Sequence, residues 1–141
     1  MDRVTILNNL KSSLQDIRRE NGFKSTVDRV QRGIYLPEDI SERPAVTIYN
    51  TKSTVVSTTF EVAGIRDLEI MITGFTLYGK ENPNDLDDLA MDLETFFNSK
   101  VYNPYFKWTR IGDIKFYEGP KIDPIGIVEL LVYVRYSFSS S

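Results

Sequence analysis

Hydrophobic positions recur along this chain with two periods, and the switches between them mark its elements. From Val4 to Ile17, the residues Leu7, Leu10, Leu14 and Ile17 follow at steps of three, four and three. That spacing lines one side of a helix. Asn21-Gly22 supplies a stop, since both residues tolerate the left-handed conformation. From Lys24 to Tyr35 the period falls to two. Val27, Arg29, Gln31 and Gly33 alternate with Asp28, Val30, Arg32 and Ile34, which predicts extended chain with an irregularity at Gly33. Leu36 to Pro44 carries a proline near each end and reads as a connector with one helical turn.

Ala45 to Tyr49 reads as a short strand with Val46 and Ile48 on one face, followed by a polar turn at Asn50-Thr51-Lys52-Ser53. Thr54 to Val62 is rich in β-branched residues and reads as a further strand, broken at Ala63-Gly64. Leu68, Ile70 and Ile72 then alternate with Glu69, Met71 and Thr73. After Gly74 the phase shifts, so that Phe75 and Leu77 become the apolar positions, which predicts a β-bulge or bend. Glu81-Asn82-Pro83-Asn84 closes this strand and opens a second helix with Asn84 as N-cap. Asp85 and Asp87 fall in its first turn, where the helix dipole favours acids. Leu86, Leu89, Ala90, Leu93, Phe96 and Phe97 form its buried side, with Asp85, Asp88 and Asp92 expected on the opposite side.

Residues 98–112 read as irregular and aromatic-rich, with Tyr102, Tyr105, Phe106 and Trp108 interrupted by Pro104 and Gly112. A strand is expected at Asp113 to Tyr117, then turns at Gly119-Pro120 and Asp123-Pro124. Ile125 to Phe138 is the longest strand candidate. Val128, Leu130, Val132, Val134, Tyr136 and Phe138 point one way, and Ile127, Glu129, Leu131, Tyr133 and Arg135 the other. Apolar residues on both faces predict a central strand, covered on both sides or facing a partner subunit. The order is helix, a run of strands, helix, then two strands. Short connections between strands make the sheet mostly antiparallel, and the fold class is α+β with two helices flanking it. At 141 residues, residues 1–141 form a single domain.

Composition narrows the chemistry. The chain holds no cysteine and no histidine. Disulfides, Cys/His zinc sites and Ser-His or Cys-His nucleophilic constellations therefore cannot be built from it. Carboxylate pairs, lysine nucleophiles and oxygen-ligated hard metals remain. No apolar run reaches the roughly 18 residues of a membrane span. The start, Met1-Asp2-Arg3-Val4, lacks the pattern of a signal peptide, so the cytoplasm in which the chain is made is its expected location. Net charge is −3, unevenly spread. Residues 1–35 hold seven Lys/Arg against four Asp/Glu, residues 36–100 five against twelve, and residues 101–141 five against four. Such asymmetry can orient a protein against a charged neighbour.

Three groups of side chains could carry function. Asp85, Asp88 and Asp92 are spaced so that carboxylates could converge on a divalent cation, although acids near a helix N-terminus also serve simply to favour the dipole on a solvated face. Arg18, Arg19, Lys24, Arg29 and Arg32 could meet phosphates, but nucleic-acid domains are usually basic and this chain has a pI near 5.0. Solubility, or contact with an acidic neighbour, fits that composition better. Tyr102, Tyr105, Phe106 and Trp108 could anchor a partner or cover one end of the core. No phosphate-binding glycine loop occurs. No catalytic, cofactor-binding or metal residue is assigned, no cofactor is expected, and the chain reads as an assembly protein rather than an enzyme.

The string as a whole resembles the tail terminator proteins of long-tailed bacteriophages, the family that includes the terminator of phage lambda. The likeness lies in order and spacing across nearly the full chain. It opens with the amphipathic segment Thr5-Ile6-Leu7-Asn8-Asn9-Leu10-Lys11-Ser12-Ser13-Leu14. A proline-led strand follows, Arg43-Pro44-Ala45-Val46-Thr47-Ile48-Tyr49. Then come Leu68-Glu69-Ile70-Met71-Ile72-Thr73-Gly74-Phe75, the acidic helix entry Asn84-Asp85-Leu86-Asp87-Asp88-Leu89, and a closing strand, Val128 to Phe138. The resemblance implies a virion protein at the head-proximal end of the tail. Protomers would form a ring, of six, that docks on the tail tube protein, stops tube polymerisation and presents a surface to a head-completion or neck protein. A sheath protein joins these partners where the tail is contractile, and DNA is only passing cargo; no membrane partner is implied. The candidate contact residues for subunits or partners are Arg18, Arg19, Arg29, Arg32, Asp85, Asp88, Asp92, Tyr102, Tyr105, Trp108, Tyr133 and Arg135. The alternatives are a head-completion or neck connector, the tail tube protein itself, a carboxylate-metal hydrolase using Asp85, Asp88 and Asp92, and a nucleic-acid-binding module.

Overall fold

The apolar stripe of the first segment folds as expected, but in two pieces. In the computed structural model, which describes residues 3–35, 39–40, 43–58, 63–78, 83–99, 107–118 and 125–139, helix α1 spans Arg3–Leu14 and buries Ile6, Leu7, Leu10 and Leu14. Past Leu14 the backbone tightens: the N–H groups of Gln15, Asp16 and Ile17 donate to the carbonyls of Ser12, Ser13 and Leu14. These i to i+3 bonds are the usual way a helix end winds down, and they keep Ile17 fully buried. A 3₁₀ turn at Arg19–Asn21 follows, and Gly22 closes it with φ 93°. The left-handed stop expected at Asn21-Gly22 is present, ending this turn rather than α1.

Five strands form one sheet: β1 (Arg29–Arg32), β2 (Ala45–Thr58), β3 (Ala63–Leu77), β4 (Lys107–Glu118) and β5 (Ile125–Ser139). Their spatial order is β1-β2-β3-β5-β4. The β1–β2 pair is parallel and the other three are antiparallel. Helix α2 (Asp85–Asn98) stands between β3 and β4 in the chain. The α+β class, the mostly antiparallel sheet and the order of elements are as predicted.

Both helices lie on the same face. Val46, Ile48, Leu68, Ile70, Ile72, Val128, Leu130, Val132, Val134 and Tyr136 share that face by register. They form one core with Leu10 and Leu14 of α1 and Leu89, Leu93, Phe96 and Phe97 of α2. Each such side chain contributes about 1.5–3 kcal/mol on burial. Phe96 and Phe97 meet edge to face, with centroids 4.9 Å apart.

The strand boundaries differ from the sequence reading in four places. Ala63-Gly64 does not break a strand but opens β3. Asn50-Thr51-Lys52-Ser53 is not a turn. β2 runs through it, with a register shift between Asn50 and Lys52 that absorbs one extra residue. Residues 107–112 belong to a strand, because β4 starts at Lys107, but the strand is irregular there, with register shifts between Trp108 and Arg110 and between Ile111 and Ile114. Gly74 carries no bulge: β3 pairs with β5 in unbroken register from Ala63 to Leu77. The shift of apolar phase has another cause. A parallel β1–β2 pair needs a crossover, and its described part lies over the sheet face away from the helices. There Ile40, Ala45 and Phe75 bury one another, with Tyr35 and Ile127 packed beside them. Phe75 is therefore apolar because it is covered from the other side. Gly74 points at α2, where a β-carbon would sit 2.8 Å from Leu89 Cδ2 and 2.9 Å from Val128 Cγ1.

Candidate interaction surface

The helix-free face of the sheet collects what the core leaves over. By register it carries Thr47 and Tyr49 of β2, Met71, Thr73 and Phe75 of β3, Ile127, Glu129, Leu131 and Tyr133 of β5, and Tyr117 of β4. The described part of the crossover covers one side of it, at Ile40, Ala45 and Phe75. Ile34, Tyr35, Thr47, Tyr49, Thr73, Phe75, Tyr117, Ile127 and Glu129 line a hollow of about 260 Å³. Ile34 is 77% exposed at its rim, and Tyr117 is exposed on the far wall. A hydrogen bond to Glu129 pushes the Tyr117 phenol above its ordinary value, with smaller contributions from burial and the carboxylate charge. Tyr133, a predicted contact residue, stands half-buried on this face opposite Glu69. Arg135 stands opposite Asp67 and donates to both its carboxylate oxygens, at 3.0 and 3.3 Å.

The predicted acidic stripe does not behave as one. Asp85 and Asp88 are partly exposed, whereas Asp92 is buried. Its Oδ1 accepts from the Lys24 N–H at 2.9 Å and its Oδ2 from the Ser25 N–H at 2.7 Å. Asp92 is thus a clip that holds the segment after the 3₁₀ turn against α2, not a member of a solvated face. Burial raises its pKa, opposed by the hydrogen bonds from Lys24 and Ser25, and the charge of Asp88 adds to the rise. With both oxygens of Asp92 directed at backbone, the three carboxylates do not converge. Among the described residues no group of three or more His, Cys, Asp or Glu is placed to hold a metal ion.

The basic residues are scattered rather than gathered. Arg18 pairs with its neighbour Glu20 at 3.5 Å. Arg19 Nε donates to the Lys24 carbonyl, and Arg32 Nη1 donates to Asn8 Oδ1 at 3.0 Å. Arg29 stands exposed at the start of β1. Arg19, Lys24 and Arg43 line a second hollow, of about 300 Å³, together with Asp28, Asp85 and Asp88. The basic N-terminal and acidic middle segments therefore meet within one chain, which answers part of the charge asymmetry without a partner. Asn84 opens α2, but its side chain makes no capping bond. Of the aromatic group, Tyr102, Tyr105 and Phe106 lie outside the described residues, and Trp108 stands on β4 opposite Val134.

Sequence reasoning passed over Ile34, Tyr35, Tyr49 and Tyr117. For Tyr49 a signal was available: it follows the core position Ile48 in a period-two segment, so it must face away from the helices. Ile34 and Tyr35 lie beyond the end of β1, and Tyr117 follows the exposed Phe116, so alternation with a core position does not place them. A comparison with protein-family models finds no match, and a comparison with curated proteins finds no significant match.

Proposed function

We propose that the chain is a ring-forming assembly subunit of a long-tailed phage, of the tail terminator type. It docks on the last ring of the tail tube, stops further polymerisation and offers its opposite side to a head-completion or neck protein. The observation that carries this reading is the two-faced sheet. One face packs against α1 and α2 to form the core, while the other keeps tyrosines and aliphatic side chains at a hollow. Aromatic residues of this kind dominate protein interfaces, and a subunit that closes on its neighbours has a use for such a face. The order of elements on which the resemblance rests adds support: α1, the strand that follows Pro44, β3, α2 with its acidic first turn, and the long β5.

The action is steric. One surface reproduces enough of a tube subunit's edge to dock, and the other refuses the next ring. The hydrolase alternative loses ground because Asp92 is turned to backbone N–H groups, and the nucleic-acid alternative because the arginines are dispersed and locally paired. Native mass spectrometry over a range of protein concentrations tests the proposal. A discrete closed oligomer, a hexamer above all, is the expected result. An open-ended ladder of sizes would identify a tube protein instead.

A further inference from the structure

On the helix-free face, β3 and β5 carry three carboxylates: Asp67, Glu69 and Glu129. Two of them are answered by cations. Glu69 pairs with Lys52 at 3.5 Å, and Asp67 with Arg135 at 3.0 Å. Glu129 is half-buried, and among the described residues it makes no ion pair. Lys115 stands opposite it on β4, but is exposed and does not line the hollow. The Tyr117 hydroxyl donates to Glu129. A carboxylate has about four acceptor positions, so one phenol leaves most of them open.

What surrounds Glu129 selects the sign of a ligand. Tyr35, Tyr49 and Tyr117 line the same hollow of about 260 Å³, and Glu129 is the only charged residue of its lining. Tyrosine rings attract cations through their negative faces. Thr73 stands opposite Glu129, and Thr47 opposite Thr73; both are buried. Their hydroxyl oxygens add acceptors. The lining therefore offers ring faces, oxygens and one negative charge to a cation, and no basic side chain to an anion. The second hollow differs: Arg19, Lys24 and Arg43 stand there with three aspartates, and it selects neither sign.

We propose that this hollow takes a guanidinium group, the arginine side chain of a partner protein, with Glu129 as its counter-ion and the three tyrosines around it. A planar guanidinium stacks on a ring and still forks its N–H donors onto a carboxylate, which a lysine ammonium cannot do. The proposal rests on the reading of this face as an interaction surface and names the chemistry that the face recognises. It does not require the ring to close.

The test is a saturation-transfer NMR titration of the full chain with N-acetyl-arginine amide. N-acetyl-citrulline amide, close in shape but uncharged, and N-acetyl-lysine amide serve as comparisons. Saturable binding of the arginine probe is expected, with weaker binding of the lysine probe and none of the citrulline probe. Glu129→Gln should weaken the arginine probe about tenfold or more, the loss of one charge-assisted hydrogen bond. Tyr49→Ala should weaken it too, whereas Tyr49→Phe, which keeps the ring, should not. Asp85→Asn with Asp88→Asn alters the other hollow and should leave binding unchanged. Circular dichroism confirms that each variant is folded. Equal binding of the citrulline or lysine probe, unchanged affinity in Glu129→Gln, or loss of binding in the Asp85, Asp88 variant overturns the guanidinium site. Native mass spectrometry of the same samples keeps the two readings apart. A closed oligomer that does not bind the arginine probe overturns the site and leaves the ring; a monomer that binds it with the expected Glu129 dependence supports the site and counts against the ring.

Discussion

Replacing Gly74 with alanine tests whether α2 sits as close to the sheet as its packing implies. The added methyl would lie 2.8 Å from Leu89 Cδ2, 2.9 Å from Val128 Cγ1 and 3.3 Å from Leu89 Cγ. Carbon atoms in ordinary contact stand about 3.5–4.0 Å apart, so the neighbours must retreat by roughly 0.7 Å. Neither can do so freely. Both are fully buried, Val128 is stiff at χ1, and Leu89 is hemmed in by the core beneath α2. Overpacking of this sort costs about 1–3 kcal/mol. In an open strand the same change would instead stabilise by about 0.4–1 kcal/mol, through the lost freedom of the unfolded glycine. The sign therefore decides. Urea unfolding at fixed protein concentration should give Gly74→Ala a loss of about 2 kcal/mol. Leu89→Ala alone should cost about 2–5 kcal/mol, but at least ~1 kcal/mol less in the Gly74→Ala background, where its cavity receives the new methyl. An alanine variant as stable as the parent, or strict additivity of the two changes, would refute the close approach.

Other perturbations probe other parts of the account. Asp92→Asn leaves one of the Lys24 and Ser25 N–H groups facing an amide donor and should cost about 1–3 kcal/mol in urea unfolding. Because the native Asp92 pKa is raised, its contribution is fully present below the ordinary 3.8 and is lost as pH rises through the native value. The gap between parent and variant should accordingly shrink from acid toward neutral pH, and a gap that widens would contradict the assignment. Phe75→Ala should cost about 3–5 kcal/mol and should speed amide exchange around Ile40, which it helps to bury; a loss below about 1 kcal/mol would mean that the crossover does not seal that face. Tyr117 should ionise above 10 in a phenolate absorbance difference against Tyr117→Phe, and Glu129→Gln should lower that value. Stability linked to this phenol is present below 10 and is lost as pH rises through the raised value; an unchanged titration in Glu129→Gln would remove the hydrogen bond as its cause.

The elements were legible because their periods are clean. The steps of three and four in α1, the buried side of α2 and the alternation of β5 each reflect one apolar surface meeting one core. What escaped was everything set by contacts distant in sequence. The parity of Phe75 follows from a crossover packed on the far face, which no local pattern announces. The Asn50 to Ser53 segment has turn composition, yet pairing with β3 carries the strand through it. Asp92 has the spacing of a solvated stripe, but the backbone of Lys24 and Ser25, 68 and 67 residues away, claims its carboxylate. The candidate surface was half visible. Tyr133 and Arg135 were reached through the two-faced strand, whereas Ile34, Tyr49 and Tyr117 become one site only when the sheet sets the chain after β1, β2 and β4 around the β3 and β5 residues of one face.

The central claim is that this chain stops a growing tube. On the proposed reading, the direct measurement is the length of tubes formed by a tail tube protein encoded in the same genome as this chain, scored by negative-stain electron microscopy with and without the purified chain. The account predicts shorter tubes, a single capped end bearing the chain, and no further growth from that end when fresh tube subunits are added. Tubes that elongate equally at both ends in its presence, with no chain bound, would contradict it.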